Sequence, residues 1–401
     1  MLALQLIKDD LIQPPRLSMV TVPTPEPIDD QILVRVVASL INPSDMLNAQ
    51  GYFATTTFPR IPGRDYSGVV EKLGSSTMGD FKVGDRVFGS SGNTLSFTTD
   101  GAHAECVCVP EAGLAKVPGG MSGVVAGTIG VPYITATLGL VSARIEEGES
   151  VLVLGANGNV GSAAVQMARY SGAMVLLGAK DEKSKMGVDL ASDTETQLVK
   201  VLSLTRGKGV DIVFDTVGDP TLTANVMKVL APRGRVGLIS APRGEESREC
   251  SFDMLMVYRK EQRIIGNNSL LMTIKEAGDD LRMLVPLFER GELKVEEDKF
   301  TKVPLSSADD AYAEMMAGSR KNTASSRRFR PQHIENYNNL AHSSQRRPKM
   351  ANITEEAHEM SNYFADDTNE NTGRPFSLPP TDGGKAAWLF LVASFISEAV
   401  V

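Results

Sequence analysis

A short apolar strand, a glycine-rich turn and a helix follow one another directly in the middle of the chain. The predicted strand runs from Glu149 to Gly155, the turn reads G-A-N-G-N-V-G from Gly155 to Gly161, and helical spacing continues to Gly172. In such a unit the glycines permit a tight turn and a close approach to a pyrophosphate, whose oxygens bind the first helical N–H groups. The sequence therefore predicts a dinucleotide-binding unit.

The segments after this unit repeat the alternation of strand and helix. Such alternation predicts βαβ units on a parallel sheet. One connection is unusual, because the stretch 181–193 is too short for a full helix followed by a strand. Further strands are predicted at 173–179, 210–218, 235–240 and 264–270, and further helices at 194–207, 220–234, 272–291 and 308–318.

Residues 1–125 have a different character. Segment 31–39 alternates as a strand does, and 68–74 and 86–90 are further short strands between turns rich in Gly and Pro. Few helices are predicted there. The fold class is therefore α/β, with a β-rich body followed by a doubly wound parallel sheet.

Composition limits the partners and the compartment. The chain has 401 residues and a net charge of −8, which gives no electrostatic reason to expect nucleic acid or an anionic membrane as a partner. Its three cysteines are too few for a disulfide framework. Because the N-terminal residues lack the pattern of a secretory signal, we expect a cytoplasmic protein.

The end of the second strand selects between the two nicotinamide dinucleotides. NAD-dependent enzymes usually place an acid there, which binds the ribose 2′-hydroxyl. Here the strand ends at Lys180 and Lys183 follows, whereas Asp181 and Glu182 lie slightly late for the acidic role. Lysines suit a 2′-phosphate, so NADPH is favoured over NADH. The alternative is that both lysines lie in a solvated turn.

A set of landmarks runs in a fixed order along residues 1–320: INPSD (41–45), FPRIPGRDYSGVV (58–70), VGDRVFG (83–89), DGAHAECV (100–107), GVPYITATLGL (130–140), the glycine loop, DTVGDP (215–220) and LAPRGRVG (230–237). Together they resemble the medium-chain dehydrogenase/reductase superfamily, specifically its zinc-free quinone oxidoreductase and enoyl reductase branch. The resemblance implies a GroES-like catalytic domain at 1–126, a Rossmann domain at 127–266 and a return to the catalytic domain at 267–320. The active site is then expected in the cleft between the domains.

Zinc-dependent relatives place a cysteine where Asn42 or Pro43 stands, and a His-Glu pair where Gly63 is followed by Arg64 and Asp65. They also use four closely spaced cysteines for a structural zinc. The resemblance therefore implies an enzyme without zinc.

Two cysteines and one histidine of the β-rich part are potential metal ligands by residue type. Cys106 and Cys108 lie at i and i+2 with no third ligand nearby, so they are interpreted as core residues. His103 is interpreted as a packed strand residue.

The resemblance also implies roles for single residues. It places Asn42 and Asp45 beside the nicotinamide and the substrate; the alternative is a capped turn after the strand. Tyr52 lies near the position of the proton-donating tyrosine of enoyl-thioester reductases; the alternative is an aromatic packing residue. The expected cofactor-binding residues are Thr135 at the domain junction, Gly155, Asn157, Gly158, Asn159, Val160 and Gly161 in the loop, Lys180 and Lys183 after the second strand, Tyr258 near the adenosine phosphate, and Asn268 on the last Rossmann strand.

The resemblance implies a zinc-independent, NADPH-dependent reductase that transfers hydride to a quinone or an activated C=C bond. An alternative enzyme is an enoyl-thioester reductase of fatty-acid or polyketide synthesis, with a carrier protein or a polyketide synthase as partner. A different class is a cofactor-binding protein with impaired catalysis. A homodimer is a further expectation about partners.

Residues 321–401 differ from the rest. Segments 321–349 and 350–385 are poor in periodic apolar residues and are predicted to be disordered, and the tail ends in a short apolar stretch. Segment 350–401 resembles the N-terminus of a fungal monocarboxylate-transporter-like permease, through the pattern D-G-G-x-x-A-W that begins at Asp382. The apolar stretch from Ala386 is too short to span a bilayer alone, which limits any membrane contact to residues 386–401. A fusion of two reading frames is one hypothesis for this tail, and a genuine extension is the other.

Overall fold

The computed structural model describes residues 1–9, 14–180, 182–243 and 247–322, with side chains up to 317 in the last helix. The strands are β1 Leu2–Ile7, β2 Arg16–Thr21, β3 Gln31–Ala38, β4 Asp65–Leu73, β5 Arg86–Ser90, β6 Cys106–Pro110, β7 Leu114–Lys116, β8 Ser150–Leu154, β9 Met174–Ala179, β10 Gly187–Asp189, β11 Val210–Asp215, β12 Leu230–Leu238 and β13 Arg263–Gly266. The helices are α1 Pro43–Ala49, α2 Gly123–Ala126, α3 Gly130–Ser142, α4 Asn159–Tyr170, α5 Thr194–Leu204, α6 Pro220–Lys228, α7 Met254–Lys260, α8 Ile274–Glu289 and α9 Ala308–Asn322.

Six strands form a parallel sheet in the order β10-β9-β8-β11-β12-β13. This order reverses beside β8, as in doubly wound sheets, whose ligands bind outside the carboxyl ends of the strands at that point. All residues of β8 and β11 are buried, as expected for parallel strands covered by helices. The predicted α/β class is confirmed.

The connection between β9 and β10 is short, as the sequence indicates. Residues 180–186 alone separate the two strands, which pair in parallel from Leu177 with Gly187 to Ala179 with Asp189. Parallel neighbours usually need a longer crossover that contains a helix. Here the described residues of the connection hold no helix, and the second strand is reduced to three residues.

The β-rich part forms two antiparallel sheets. The larger has the order β6-β3-β4-β5-β7, and β1 pairs with β2 in a smaller one. Alternate residues of β3 and β6, namely Ile32, Val34, Val107 and Val109, are buried against Tyr66 of β4. The alternation in the sequence therefore corresponds to one buried face of the larger sheet.

Two helices join the β-rich part to the parallel sheet. α3 begins beside β4, and its Gly139 lies so close to Phe214 of β11 that a Cβ would approach the ring to 2.1 Å. α8 packs on β5, β7 and α3. A Cβ on its Gly278 would lie 2.1 Å from the carbonyl oxygen of Ala112. Close backbone approaches thus hold both helices in place, while the domain boundaries at 126 and 266 stay predictions.

Two predicted elements end earlier than expected. The helix predicted at 220–234 stops at Lys228, because the chain from Leu230 onward pairs with β11 as part of the parallel sheet. The strand predicted at 264–270 stops at Gly266, where its pairing with β12 ends. In both cases long-range pairing, which local patterns do not reveal, sets the boundary.

The predictions for 323–401 lie outside the described residues; these are the disordered tail, the resemblance of 350–401 to a permease and the apolar segment from 386. Within the described part of the chain, no helix is both long and apolar enough to cross a membrane.

Candidate active site

The glycine loop lies between β8 and α4, at the centre of the parallel sheet. Gly155 has a φ of 77°, which favours glycine, and a Cβ there would lie 2.3 Å from Thr216 Oγ1. A Cβ on Gly161 would lie 2.1 Å from the carbonyl oxygen of Gly155, whereas a Cβ on Gly158 would have no contact closer than 3.4 Å. Gly158 and the neighbouring Asn157 are exposed. A turn, close packing and an open face thus account for the three glycines, as a pyrophosphate loop requires.

The first turn of α4 presents backbone N–H groups. Gly158 caps the helix without a side chain that could accept from it. The N–H of Ser162 donates to the carbonyl of Gly158 at 2.7 Å. The N–H groups of Asn159, Val160 and Gly161 precede this bond and have no acceptor within the helix. These N–H groups lie at the positive end of the helix dipole, so this turn suits the phosphates of a dinucleotide.

Lys180 and Lys183 are exposed directly after β9. Between them, the carboxylate of Glu182 accepts the N–H of Ser184 at 2.8 Å, and this hydrogen bond lowers the pKa of Glu182. Asp181 lies outside the described residues. The described acid at this strand end is therefore engaged within its own turn, while both lysines reach solvent.

A buried polar cluster lies between α1, β4 and α3. The backbone N–H of Asn42 donates to Asp45 Oδ2 at 2.8 Å, and its Nδ2 donates to Asp65 Oδ2 at 2.9 Å. Asp65 Oδ1 accepts from Ser90 Oγ at 2.8 Å and from the N–H of Val131 at 2.7 Å. Asn42, Asp45 and Asp65 are at most 2% exposed. The structure thus brings Asn42 and Asp45 together inside the protein.

Arg64 supplies the positive charge of this cluster. It is 4% exposed, and its Nε and Nη1 donate to Ser91 Oγ and Ser44 Oγ, both at 2.9 Å. Burial raises the pKa of Asp45 and of Asp65 to about 6, although the Arg64 charge opposes this. Because a guanidinium stays protonated in proteins, the cluster holds one fixed cation and two carboxyls that titrate just below neutral pH.

Tyr52 and Thr135 are the next two predicted site residues, one after α1 and the other within α3. Tyr52 follows α1 and is half-buried. Arg243, which follows β12 of the parallel sheet, is close enough to Tyr52 to interact with it electrostatically. Thr135 is buried on α3, the helix whose first turn donates to Asp65. Residues from the β-rich part and from the parallel sheet therefore meet beside Tyr52.

The two remaining predicted cofactor residues are exposed. Tyr258 on α7 is 77% exposed. The placement of Asn268 on the last strand is wrong, because β13 ends at Gly266 and the Asn268 side chain instead accepts the N–H of Leu270 at 3.1 Å. Neither residue makes a described contact with the buried cluster.

Sequence reasoning did not assign functional roles to Arg64, Arg243 or the pair His103 and Tyr312. His103 is buried, as interpreted, but in a loop rather than a strand. Its Nε2 lies 3.4 Å from the carbonyl oxygen of Leu40, so its Nδ1 accepts from the Tyr312 hydroxyl at 3.1 Å. Burial lowers the pKa of His103 to about 4, which keeps the ring neutral. The adjacent Arg64 and Asp65 in a segment with many apolar residues could have indicated a buried charged pair. No comparable pattern in the sequence indicates a role for Tyr312.

The arrangement does not fit a zinc ion. Zinc binds thiolates, imidazoles and carboxylates. At the place where zinc-dependent relatives carry ligands, this chain has the Asn42 amide, the Arg64 guanidinium and the Asp65 carboxylate, which already accepts three hydrogen bonds. In the part of the chain that the structure describes, no three His, Cys, Asp or Glu side chains are grouped to hold a metal.

Known proteins match both parts of the chain. The family described as alcohol dehydrogenase GroES-like domain matches residues 28–119, and the family described as zinc-binding dehydrogenase matches residues 159–283. A zinc-type alcohol dehydrogenase-like protein of Schizosaccharomyces pombe is 40% identical over 297 residues, 74% of this chain and 88% of the relative. Quinone oxidoreductase of Mus musculus is 31% identical over 315 residues, 76% and 90% of the two chains. A chloroplastic NADPH-dependent alkenal/one oxidoreductase of Arabidopsis thaliana is 30% identical over 303 residues, 72% and 70%.

The matches span most of the length of each relative. Of the two family models, the first falls on the β-rich part of this chain and the second mainly on the parallel sheet. The word zinc in the names of one family and one relative describes those proteins, and zinc independence of this chain stays a proposal. From fold, glycine loop and relatives together, the chain belongs to the medium-chain dehydrogenase/reductase superfamily of NAD(P)-dependent oxidoreductases.

Proposed function

We propose that this protein is a zinc-independent reductase that uses NADPH to transfer hydride to a quinone or to a C=C bond activated by a carbonyl group. The observation that carries the proposal is the loop 155–161, where an exposed Gly158 and three helical N–H groups form a phosphate-binding turn. Lys180 and Lys183 lie at the next strand end, where the 2′-phosphate of NADPH is expected. Two relatives are described as a quinone oxidoreductase and an NADPH-dependent alkenal/one oxidoreductase, which supports this acceptor class.

The bound nicotinamide supplies the hydride. The chain must orient the acceptor, stabilise the negative charge that develops on its oxygen, and provide a proton. Asn42 is fixed by hydrogen bonds from both its backbone and its side chain, which suits an orienting role. Tyr52 is half-buried and interacts electrostatically with Arg243, and we propose it as the proton donor.

Reduction of an activated acceptor is favoured over oxidation of an alcohol by the chemistry of the side chains present. Polarising an alcohol in this superfamily calls for zinc ligands, and an amide and a guanidinium stand at those positions. An enone or quinone is already electrophilic, so position, a hydrogen bond and a proton are sufficient.

Cofactor titration followed by an acceptor panel tests the proposal. We expect NADPH to bind more tightly than NADH, measured by nucleotide fluorescence, and NADPH to be oxidised with quinones or enones. Equal or faster turnover of enoyl thioesters would instead identify the alternative enzyme. Binding without turnover of any acceptor would support the non-catalytic class and contradict the proposal.

Replacing both lysines sharpens the choice of cofactor. In Lys180→Ala/Lys183→Ala, the Kd for NADPH should rise by about tenfold, equivalent to about 1.4 kcal/mol, because two cations near the 2′-phosphate are lost. The Kd for NADH should stay unchanged. Lys185→Ala removes an exposed lysine two residues further on and is the matched control. Equal losses for both nucleotides would show that the lysines do not read the 2′-phosphate.

A further inference from the structure

Arg64 differs from the other arginines that the structure describes, because its whole side chain is inside the protein. It lies at 4% exposure between α1 and β4, and its guanidinium donates to two serine hydroxyls, Ser44 on α1 and Ser91 after β5. Its guanidinium carbon is also 5.6 Å from the centre of the Phe97 ring. A buried cation is costly unless nearby negative charge compensates it.

The compensating charges are Asp45 and Asp65. Both interact electrostatically with Arg64, and this interaction opposes the effect of burial on their pKa values. Tyr312 of α9 also faces Asp45, and His103 is hydrogen-bonded to Tyr312, but both of these groups are neutral at physiological pH. Burial favours the neutral form of both carboxyls, and the charge of Asp45 adds to this effect at Asp65. Arg64 and the hydrogen bonds from Asn42 and Ser90 favour the ionised form, and at Asp65 those hydrogen bonds act more strongly than Arg64.

The charge state of Asp65 determines which way the Asn42 amide points. Asp65 accepts three hydrogen bonds, from the Asn42 amide, the Ser90 hydroxyl and the Val131 N–H. An ionised carboxylate accepts only, so it holds the NH2 end of the amide towards itself. A protonated Asp65 would have a hydrogen to donate, and the oxygen of the amide would become the better partner. A change in the protonation of Asp65 therefore flips the Asn42 amide, and the end of the amide that points away from Asp65 changes from oxygen to NH2.

We propose that Arg64 is a positioning residue of this site: its fixed charge compensates the buried carboxylates of Asp45 and Asp65, and Asp65 in turn holds the Asn42 amide in one orientation. The proposal rests on the proposed function, since it assigns Asn42 to the acceptor site. The cluster loses its charge balance when Arg64 is removed.

Unfolding temperatures at two pH values test this role without any substrate. In Arg64→Gln the two carboxyls take up protons at higher pH, so the loss of unfolding temperature relative to wild type should be larger at about pH 8 than at about pH 5.5. Arg64→Lys keeps the charge and should show nearly the same loss at both. Arg86→Gln removes an arginine whose guanidinium donates to the carbonyl oxygen of Met121 rather than to a carboxylate; it is the control and should show no such pH difference.

Turnover provides the second readout. With the best acceptor of the panel, Arg64→Gln should lower kcat/KM by about 100-fold through misplacement of Asn42, and Arg64→Lys should restore part of it. If wild type turns over no acceptor, the proposed function fails, while the unfolding temperatures still test Arg64. A loss for Arg64→Gln that is equal at both pH values would overturn the proposal and leave Arg64 as a packing residue.

A double variant covers the case in which Arg64→Gln does not fold. Asp45→Asn removes one carboxyl together with the cation, so Arg64→Gln/Asp45→Asn should fold and unfold at a higher temperature than Arg64→Gln alone. This recovery is expected only if uncompensated charge causes the damage. If the double variant were no more stable than the single one, the charge argument would be wrong.

Discussion

The glycine loop and the buried polar cluster are specified in opposite ways. In the loop, function depends on side chains that are missing: Gly155 and Gly161 leave room for close backbone packing, and Gly158 leaves room for a ligand. In the cluster, function depends on side chains that are present and that complete one another's hydrogen bonds, with Asn42 and Asp65 as the central pair. The first region is defined by space and the second by charge.

This difference predicts how each region responds to substitution. Steric space does not titrate, so damage to the loop should be the same at every pH. The carboxyls of Asp45 and Asp65, whose pKa values burial raises to about 6, make the cluster sensitive to pH. The comparison fails if damage to the loop depends on pH or if damage to the cluster does not.

The largest effect is expected within the loop itself. A Cβ on Gly161 would lie 2.1 Å from the backbone oxygen of Gly155, so Gly161→Ala forces the backbone apart and should cost about 4 kcal/mol of unfolding free energy as well as nucleotide binding. Gly158→Ala has no such contact. It should leave stability within about 0.5 kcal/mol of wild type and still weaken NADPH binding by about 100-fold, because its methyl group occupies the approach of the pyrophosphate.

Denaturant unfolding and nucleotide titration on the two variants check this prediction. Gly119→Ala is the control, because a Cβ there meets nothing within 4 Å. Normal NADPH binding by a stable Gly158→Ala protein would mean that the phosphates lie elsewhere.

A smaller loss is expected for Asp65→Asn. An asparagine cannot accept from Asn42, Ser90 and Val131 with the same geometry and leaves Arg64 with less negative charge, so the free energy of unfolding should fall by about 3 kcal/mol near neutral pH. The wild-type carboxyl has a raised pKa, so its contribution to stability is complete below the ordinary value of 3.8 and is lost as pH rises through about 6. Removing it should make the decline in stability between about pH 5 and about pH 8 shallower.

Urea titrations at both pH values measure this slope. Asp100→Asn, which removes an exposed carboxylate from its pair with Arg60, is a suitable control because it lies on the surface. An unchanged or steeper slope in Asp65→Asn would show that Asp65 is not among the groups that titrate in this range.

The same contrast explains what the sequence could reveal. The loop, its strand and its helix are contiguous, so spacing alone predicts α4 from its first residue, Asn159, and the α/β class is confirmed. The predicted end of α6 was wrong because Leu230 pairs with Val210 of a neighbouring strand, and helical periodicity carries no information about such a contact. Local geometry is therefore predictable where the residues that determine it are adjacent.

The cluster is only partly predictable for the same reason. The family resemblance drew attention to Asn42 and Asp45, but Asp65 and the groups that donate to it come from other segments of the chain. Ser90 donates through a buried hydroxyl and Val131 through its backbone N–H, and neither residue type signals that role in the sequence. Arg64 was considered only as a missing zinc ligand, since its burial and its charge balance become visible only when these segments come together.

The smallest effect is expected next to the cluster, where the interaction is buried but uncharged. Tyr312→Phe removes the hydroxyl that donates to His103 Nδ1 and leaves that nitrogen without its donor, which should cost about 1 kcal/mol. Because no charge is lost and His103 stays neutral above its pKa of about 4, the cost should be equal at about pH 6.5 and about pH 8. Tyr133→Phe is the control, because the Tyr133 hydroxyl donates to the Lys294 carbonyl and accepts from Gln166 of α4. A cost that grew with pH would mean that Tyr312 acts through the charge of Asp45, and the boundary between the charged cluster and its neutral surroundings would then have to include α9.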